Sequence, residues 1–309
     1  MQGGSQPFAS IIMPAYNVAP WVGRAIESCL AQSLADWQLI VVDDGSTDTT
    51  ADIVTGFCDD RIELISTAGG NGPGGARNRA LDRATGRYLV PLDADDAFHP
   101  DRLNVLSHCA DRHDADTILF DRSIRSSEDP FRIPEPTGSP AHHEVPTKQF
   151  IVGSPSCKPL IPAALASKTQ ARYPTGAIAA EDYAFIVLLL NGGGRLIQLD
   201  APLYWHRLRA GSLTRGSSTA IHNAQSSVLK TLRQQCTDQL VLESLAGRQA
   251  RIDHLHAVSE VVEDLRDRHV GRAIRRLRQR PRLFIPTMKR LLTVLRYRMR
   301  CSEPSDTSR

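Results

Sequence analysis

Residues 88–96 read Tyr88-Leu89-Val90-Pro91-Leu92-Asp93-Ala94-Asp95-Asp96, a short apolar run that ends in three carboxylates within four positions. The pattern is that of a buried strand running into a charged edge. Alternation along the strand and its extension puts Asp93 and Asp95 on one side, where they can converge on a single ligand. Two anions held that close need a cation. With no His or Cys beside them, the carboxylates favour a hard divalent ion, Mg²⁺ or Mn²⁺, over zinc or copper. An open α/β sheet binds its ligands at the carboxyl ends of its strands, which is where this cluster falls. A solvated turn leading into a helix N-terminus fits the same residues, and the stretch alone does not separate the two.

Upstream, Phe8 to Met13 reads as a first strand closed by Pro14, and Trp21 to Leu34 has the apolar spacing of a helix. Trp37 to Val42 is a second strand, and it runs into Asp43-Asp44-Gly45-Ser46-Thr47-Asp48, where Asp43 and Asp48 suit turn and helix-capping positions. A helix over Thr49 to Cys58, a strand over Arg61 to Ser66, a glycine loop over Gly69 to Gly75 and a helix over Ala76 to Thr85 lead back to the opening stretch. Downstream come a helix from Asp101 to His113, a strand from Thr117 to Asp121, a surface loop from Ser126 to Pro146 and an ambiguous span from Lys148 to Ala166. A helix from Glu181 to Leu190 and strands over Arg195 to Leu199 and Leu203 to Arg209 follow. Strands alternating with helices predict an α/β fold, a single Rossmann-like and mostly parallel sheet with helices on both faces. Beyond Gly216 the pattern is wholly helical, so residues 1–215 form the expected sheet domain and 216–309 a helical extension.

The 309 residues carry a net charge of +3, unevenly spread: Arg266 to Arg300 holds thirteen Lys or Arg against Asp267 alone, a balance of +12 that leaves −9 on the rest. Six cysteines lie apart with no CxxC pair, which argues against a zinc site and a disulfide framework. Met1 to Gln6 lacks the basic and apolar regions of a secretory signal, so the expected location is cytoplasmic. The basic tail admits a solvated surface, a nucleic-acid patch or an amphipathic anchor. Met288, Leu291, Leu292 and Leu295 share one face of a helix expected over Thr287 to Arg300, among many Arg. That combination favours an anionic membrane surface, peripheral on its inner face, over nucleic acid.

Gly70-Asn71-Gly72-Pro73-Gly74-Gly75 satisfies the dinucleotide pattern G-x-G-x-x-G. That fingerprint belongs to the first strand of its unit, and two strands precede this one, so the glycines are read as a loop near a phosphate. Four motifs taken together are more specific: Pro14-Ala15-Tyr16-Asn17, Asp43 to Asp48, Ala76-Arg77-Asn78-Arg79 and Asp93-Ala94-Asp95-Asp96. In order and spacing they resemble the family 2 glycosyltransferases, inverting nucleotide-sugar enzymes with the GT-A fold that build bacterial polysaccharides. The likeness covers roughly Ser10 to Arg215.

The resemblance implies a role for each motif residue. Pro14 and Tyr16 would line the base pocket, Asp44 would accept the base N3–H of a uridine nucleotide, and Arg77 would lie near the diphosphate. Asp93 would hold the ribose or share the metal that Asp95 ligates. Asp182, in the Glu181-Asp182 pair, would be the general base; capping of the following helix is the structural alternative. Tyr204-Trp205-His206-Arg207-Leu208-Arg209 resembles the closing segment, although Arg209 stands where a metal-binding histidine is usual and His206 is one frame off. Arg207 and Arg209 would then serve phosphate charge.

The implied activity is transfer of a hexose, glucose first, from a UDP-sugar to a saccharide or lipid-linked acceptor. A sugar nucleotidyltransferase and a non-catalytic nucleotide-sugar sensor are the rivals. The first would show a basic glycine-rich loop where Pro14 to Asn17 stand, and the second has no use for Asp182.

Overall fold

Strand β1 (Ala9–Ala15) is apolar on both faces, and both are covered. Ile11 and Met13 join one cluster with Val22, Ile26 and Cys29 of α1 (Ala19–Leu30), while Ile12 joins another with Ala76 and Ala80 of α3 (Gly72–Arg83). Successive strand residues point to opposite faces, so a strand without a polar face has to be sandwiched between helices. The α1 contacts fall three and four residues apart, one stripe of a helix. The computed structural model describes residues 6–126, 140–155, 157–176, 180–208 and 218–289.

Around β1 run β2 (Trp37–Asp43), β3 (Ile62–Ser66) and β4 (Tyr88–Pro91), all parallel, in the order β3-β2-β1-β4. The short α2 (Thr50–Thr55) connects β2 to β3. Pro14 does not close the first strand as expected, because the β1–β4 ladder already ends at Ile12. No partner needs the missing N–H there, and β1 continues beside β2 to Ala15.

Beyond β4 the single sheet expected from sequence gives way to two. β5 (Ala97–Phe98), β6 (Thr117–Ser126), β7 (His142–Glu144) and β9 (Arg195–Arg207) form a second sheet, in which β9 pairs with all three others. The two strands expected after Gly194 are thus one continuous strand, with the register slipping opposite Phe120 and Arg122. The ambiguous span resolves into α5 (Thr147–Gly153), the two-residue β8 (Ile161–Pro162) antiparallel to β4, and α6 (Ala163–Thr169). Proline is tolerated in β8 because the strand lies at the sheet edge.

Helices α4 (Arg102–Ala110) and α7 (Glu181–Asn191) complete the sheet region, and α8 (Ser218–Gln235), α9 (Gln239–Arg266) and α10 (Val270–Gln279) follow. Asp238 caps α9, accepting from the Val241 N–H at 2.9 Å. The division expected near Gly216, which lies outside the described residues, separates compositions but not cores. Val228, Leu229 and Leu232 of α8, with Val241, Leu245 and Ile252 of α9, pack into the cluster that holds α7. Only the far end of α9 builds a core of its own, where Ala257, Val258 and Val261 meet Ala273 and Leu283. Residues 284–289 are helical, and the remainder of the amphipathic helix expected to Arg300 falls outside the described residues. No described helix is long and apolar enough to cross a membrane.

A buried ion pair ties α4 to the second sheet. Arg102 is fully buried, meets Asp121 at 2.7 Å and stacks over the Phe98 ring. The same guanidinium donates to the backbone carbonyl of Lys158. Removing one partner of such a pair strands the other charge in the core. Asp121→Ala is therefore expected to cost about 3–5 kcal/mol of unfolding free energy in urea denaturation; a loss under about 1 kcal/mol would show that the pair contributes little.

Candidate functional site

The parallel strands of the first sheet end on one edge, and each delivers its motif there. Past β1, Tyr16 holds its ring out at 58% exposure, with Pro14 half-buried behind it. Past β2, Asp43 accepts from the Ser46 N–H, and Asp48 accepts from the N–H groups of Thr50 and Ala19, which is the turn and capping work expected of them.

Asp44 is buried, and its carboxylate holds the chain that follows β3. One oxygen accepts from Thr67 Oγ1 at 3.0 Å and Asn71 Nδ2 at 3.1 Å, the other from the N–H groups of Asn71 at 3.0 Å and Gly72 at 2.8 Å. A carboxylate has about four lone-pair sites, and all are in use. The glycines play two roles here. Gly45 and Gly69 both have left-handed φ, +81° and +87°, and a Cβ on Gly45 would lie 2.8 Å from the Gly69 Cα, so the two turns interlock only without side chains. Gly72 to Gly75, expected in the loop, instead open α3, where Pro73 fits because a first-turn N–H has no helical partner.

Past β4 the chain turns sharply, with the Asp96 N–H bonded to the Asp93 carbonyl at 2.9 Å. Asp93 faces inward to two cations: Arg77 Nη2 at 2.6 Å on one oxygen and Lys158 Nζ at 2.7 Å on the other. Both cations reach on to the first turn of α7. Arg77 Nη1 meets Glu181 at 2.9 Å and Asp182 Oδ1 at 3.3 Å, and Lys158 Nζ meets Asp182 Oδ2 at 2.6 Å. Arg77, Asp93, Lys158 and Asp182 thus form a closed ring of alternating charge. Glu181 hangs from Arg77, giving three carboxylates against two cations.

Burial alone would raise the Asp93 carboxyl, but Lys158 and Arg77 outweigh it and hold Asp93 well below the usual carboxylate range. Burial disfavours the Lys158 ammonium, yet Asp182 and Asp93 outweigh it and raise its pKa well above the ordinary lysine value. Asp182 does not cap α7, whose N-terminus has no side-chain cap. Its Oδ1 is buried and accepts no hydrogen bond among the described residues. Ala180, immediately before the acid pair, has φ +72°, a conformation that costs an alanine on the order of 1–2 kcal/mol. Strain of this kind is found at functional sites.

Asp96 matters more than its sequence position suggested. It is buried and accepts from Tyr204 Oη at 2.7 Å and from the Arg207 N–H at 2.9 Å, with His206 Nδ1 at 3.2 Å. The hydrogen bond to Asp96 raises the His206 pKa above its ordinary value against the opposing effect of burial. Arg207 lies across the turn, its Nε donating to the Asp95 carbonyl at 3.3 Å and its guanidinium stacked on Trp205. Arg209 is outside the described residues.

The residues test the expected metal as follows. Among the described residues no group of three His, Cys, Asp or Glu side chains is placed to hold a metal ion. Asp93 gives both oxygens to protein cations, so the expected Asp93–Asp95 ligand pair does not form. Asp95 is half-buried on the same turn. An oxygen donor set with one carboxylate completed by phosphate and water suits Mg²⁺ or Mn²⁺, so the residues fit.

Sequence reasoning brought Asp93, Arg77 and Asp182 to one place but missed Lys158 and understated Glu181 and Asp96. Lys158 sits in the ambiguous span, in Cys157-Lys158-Pro159, with no periodicity or motif to mark it.

A parallel sheet with its motifs on one edge, an acidic turn after the fourth strand and a helix-borne acid pair facing it has the makeup of a GT-A glycosyltransferase. Residues 10–160 match the profile of Glycosyl transferase family 2 and form a domain of that family. It is 34% identical over 223 residues to the succinoglycan biosynthesis protein ExoO of Rhizobium meliloti, covering 68% of this chain and 63% of that protein. Over 96 residues it is 43% identical to WfgD of Escherichia coli, a UDP-Glc:alpha-D-GlcNAc-diphosphoundecaprenol beta-1,3-glucosyltransferase, covering 31% of this chain and 38% of that protein. The chain therefore spans less than two thirds of the length of either. The crystal structure of S. aureus TarS 1-349 with UDP-GlcNAc shares the fold, with a TM-score of 0.63 at 22% identity over 81% of this chain and 70% of that one.

The low pKa of Asp93 fixes the sign of one pH effect. Its ionised form contributes stability above the ordinary aspartate value of about 4, and that contribution is lost as pH falls from there toward the depressed folded value. Asp93→Asn is expected to melt below the unsubstituted protein at neutral pH, with the gap closing as pH falls below about 4. A gap that stayed constant across a thermal-melting series down to acid pH would contradict this.

Proposed function

We propose that the protein transfers a hexose, glucose first, from a UDP-sugar to a hydroxyl of a surface-polysaccharide or lipid-linked acceptor, with inversion. The observation that carries this reading is Asp182, a carboxylate 28% exposed on the helix that faces the acidic turn and held there by Lys158 and Arg77. Asp182 takes the proton of the acceptor hydroxyl while the oxygen forms its bond to the anomeric carbon. The bond from that carbon to the diphosphate breaks on the opposite face, and UDP leaves with the electron pair.

On the donor side, the exposed Tyr16 ring offers a stacking face beside Pro14. Asp44 takes the base N3–H when the segment now bonded to it yields. Asp93, held by Arg77 and Lys158, stands at the ribose side of the same edge. Arg77 is buried and spent on three carboxylates, so it orders the site, and phosphate charge falls to Arg207. Asp95 would hold Mg²⁺ or Mn²⁺, which neutralises the leaving diphosphate when bound. The names of the related proteins support UDP-glucose and a diphosphoundecaprenol-linked acceptor.

The test is a panel of UDP-sugars assayed for hydrolysis and transfer with and without added divalent ion, on the protein and on Asp182→Asn. The variant should lose transfer by at least about 10²-fold while binding UDP as before. If UDP binding is lost instead, the role given to Asp182 is wrong.

A lipid-linked acceptor calls for contact with a membrane surface, and the C-terminal helices supply matching chemistry. Arg272, Arg275 and Arg278 lie on α10, and Phe284, Ile285 and Met288 stand 56%, 65% and 42% exposed just beyond it. Apolar side chains beside several arginines suit the boundary of an anionic bilayer. The protein is expected to co-sediment with phosphatidylglycerol vesicles and not with phosphatidylcholine ones, and Phe284→Ser with Ile285→Ser should lower the bound fraction several-fold. Equal binding to both vesicles would reject the contact.

A further inference from the structure

Lys158 is a lysine with almost no access to water, and its ammonium does one thing: it bridges the carboxylate past β4 and the carboxylate on α7. We propose that Lys158 is a positioning residue for glycosyl transfer, tying Asp93 to Asp182 so that the Asp182 carboxylate is held in one orientation at a fixed place relative to the donor side. The proposal rests on the transferase reading above.

The geometry supports it in three steps. First, a carboxylate turns about its last side-chain bond, and which oxygen faces a ligand is undetermined until one oxygen is claimed. Lys158 Nζ claims Asp182 Oδ2 at 2.6 Å, which leaves Oδ1 turned toward Arg77 at 3.3 Å and fixes the orientation of the carboxylate. Arg77 cannot do this alone, because at 3.3 Å from Oδ1 it makes an ion pair without a hydrogen bond.

Second, the same Nζ lies 2.7 Å from Asp93 Oδ2, so the base is located relative to the donor-side carboxylate. A compact ammonium with three donors can bond one oxygen from each of two carboxylates. A guanidinium is larger and planar, and in the buried place of Lys158 it would not put one nitrogen between the same two oxygens.

Third, Lys158 is not free to follow if Asp182 moves. Its carbonyl accepts from the fully buried Arg102, and Cys157 and Leu160 on either side are buried. The two carboxylates both favour the charged ammonium over the cost of burial, so Lys158 keeps its proton throughout. The proton leaving the acceptor goes to Asp182. Once Asp182 is neutral, Lys158 still pairs with Asp93.

The experiment measures kcat for transfer, UDP binding and melting temperature for the protein, Lys158→Met, Lys158→Arg, Asp93→Asn and the Lys158→Met/Asp93→Asn pair. A misplacement of about 1 Å at a reacting group costs about 10²-fold in rate. Lys158→Met is expected to lower kcat by about that much with UDP affinity changed less than about threefold. Lys158→Arg keeps the charge but not the two-carboxylate reach, and should fall in between, about tenfold below the unsubstituted protein. The paired variant should lose less than the product of the single losses, since both substitutions break one tie.

An unchanged kcat in Lys158→Met would overturn the proposal, as would losses that multiply in the pair or a UDP affinity that falls in step with kcat. If Lys158→Met does not fold, Lys158→Arg decides: kcat equal to that of the unsubstituted protein overturns the proposal. Absence of transfer from every UDP-sugar by the unsubstituted protein would defeat the transferase reading itself, a result separate from any effect of Lys158.

Discussion

A buried cation must be paired, and this constraint organises the edge of the sheet. Arg77 and Lys158 are nearly inaccessible to water, and an isolated charge there would cost many kcal/mol. Their partners come from places distant in sequence: Asp93 after β4, Glu181 and Asp182 on α7, and the Lys158 segment entering β8. None of these elements can shift far without separating charges in a low-dielectric interior. The ring fixes where α7 meets the sheet, and so how far the helix-borne acid pair stands from the turn after β4. The left-handed backbone of Ala180 is tolerated because the acids that follow it are held so firmly.

The core and the site share a fastening. Arg102 pairs with Asp121 of the second sheet and also holds the carbonyl of Lys158, so the cation that joins the two halves of the site hangs from the interior of the protein. On the other side, α8 and the first half of α9 pack against α7 and form part of the same core, although their composition sets them apart. The first half of α9, whose far end packs with α10, is therefore anchored to the helix that carries the proposed base. A surface held by α10 and the residues after it would have a fixed relation to the place where an acceptor is used.

Local chemistry was legible in the sequence wherever it had a period or a motif. The buried strands, the helix stripe of α1 and the acidic ends of β2 and β4 were read close to their positions because alternation and turn residues mark them. The meeting of Arg77, Asp93 and Asp182 followed from the family resemblance. What escaped had no local mark. Lys158 is a single lysine 65 residues from Asp93 and 24 from Asp182, and only the closed fold brings them together. Asp96 is the third carboxylate of the opening stretch, and the turn after β4, which no alternation foretells, carries it inward to Tyr204 and His206. The second sheet was missed because β9 bends through a register shift that reads as a gap between two strands.

Asp44 gives the two sides of the edge different mechanical characters. All four donors to its carboxylate come from Thr67, Asn71 and Gly72, within one stretch of six residues, and from no other element among the described residues. The side with Asp93 and Asp182 is a ring whose members belong to separate elements, so opening it disturbs several at once. The side with Asp44 is a self-contained latch that can lift without unzipping the sheet. Whatever enters beside Asp44 replaces hydrogen bonds the protein already makes, and selection there is a competition with the chain's own backbone.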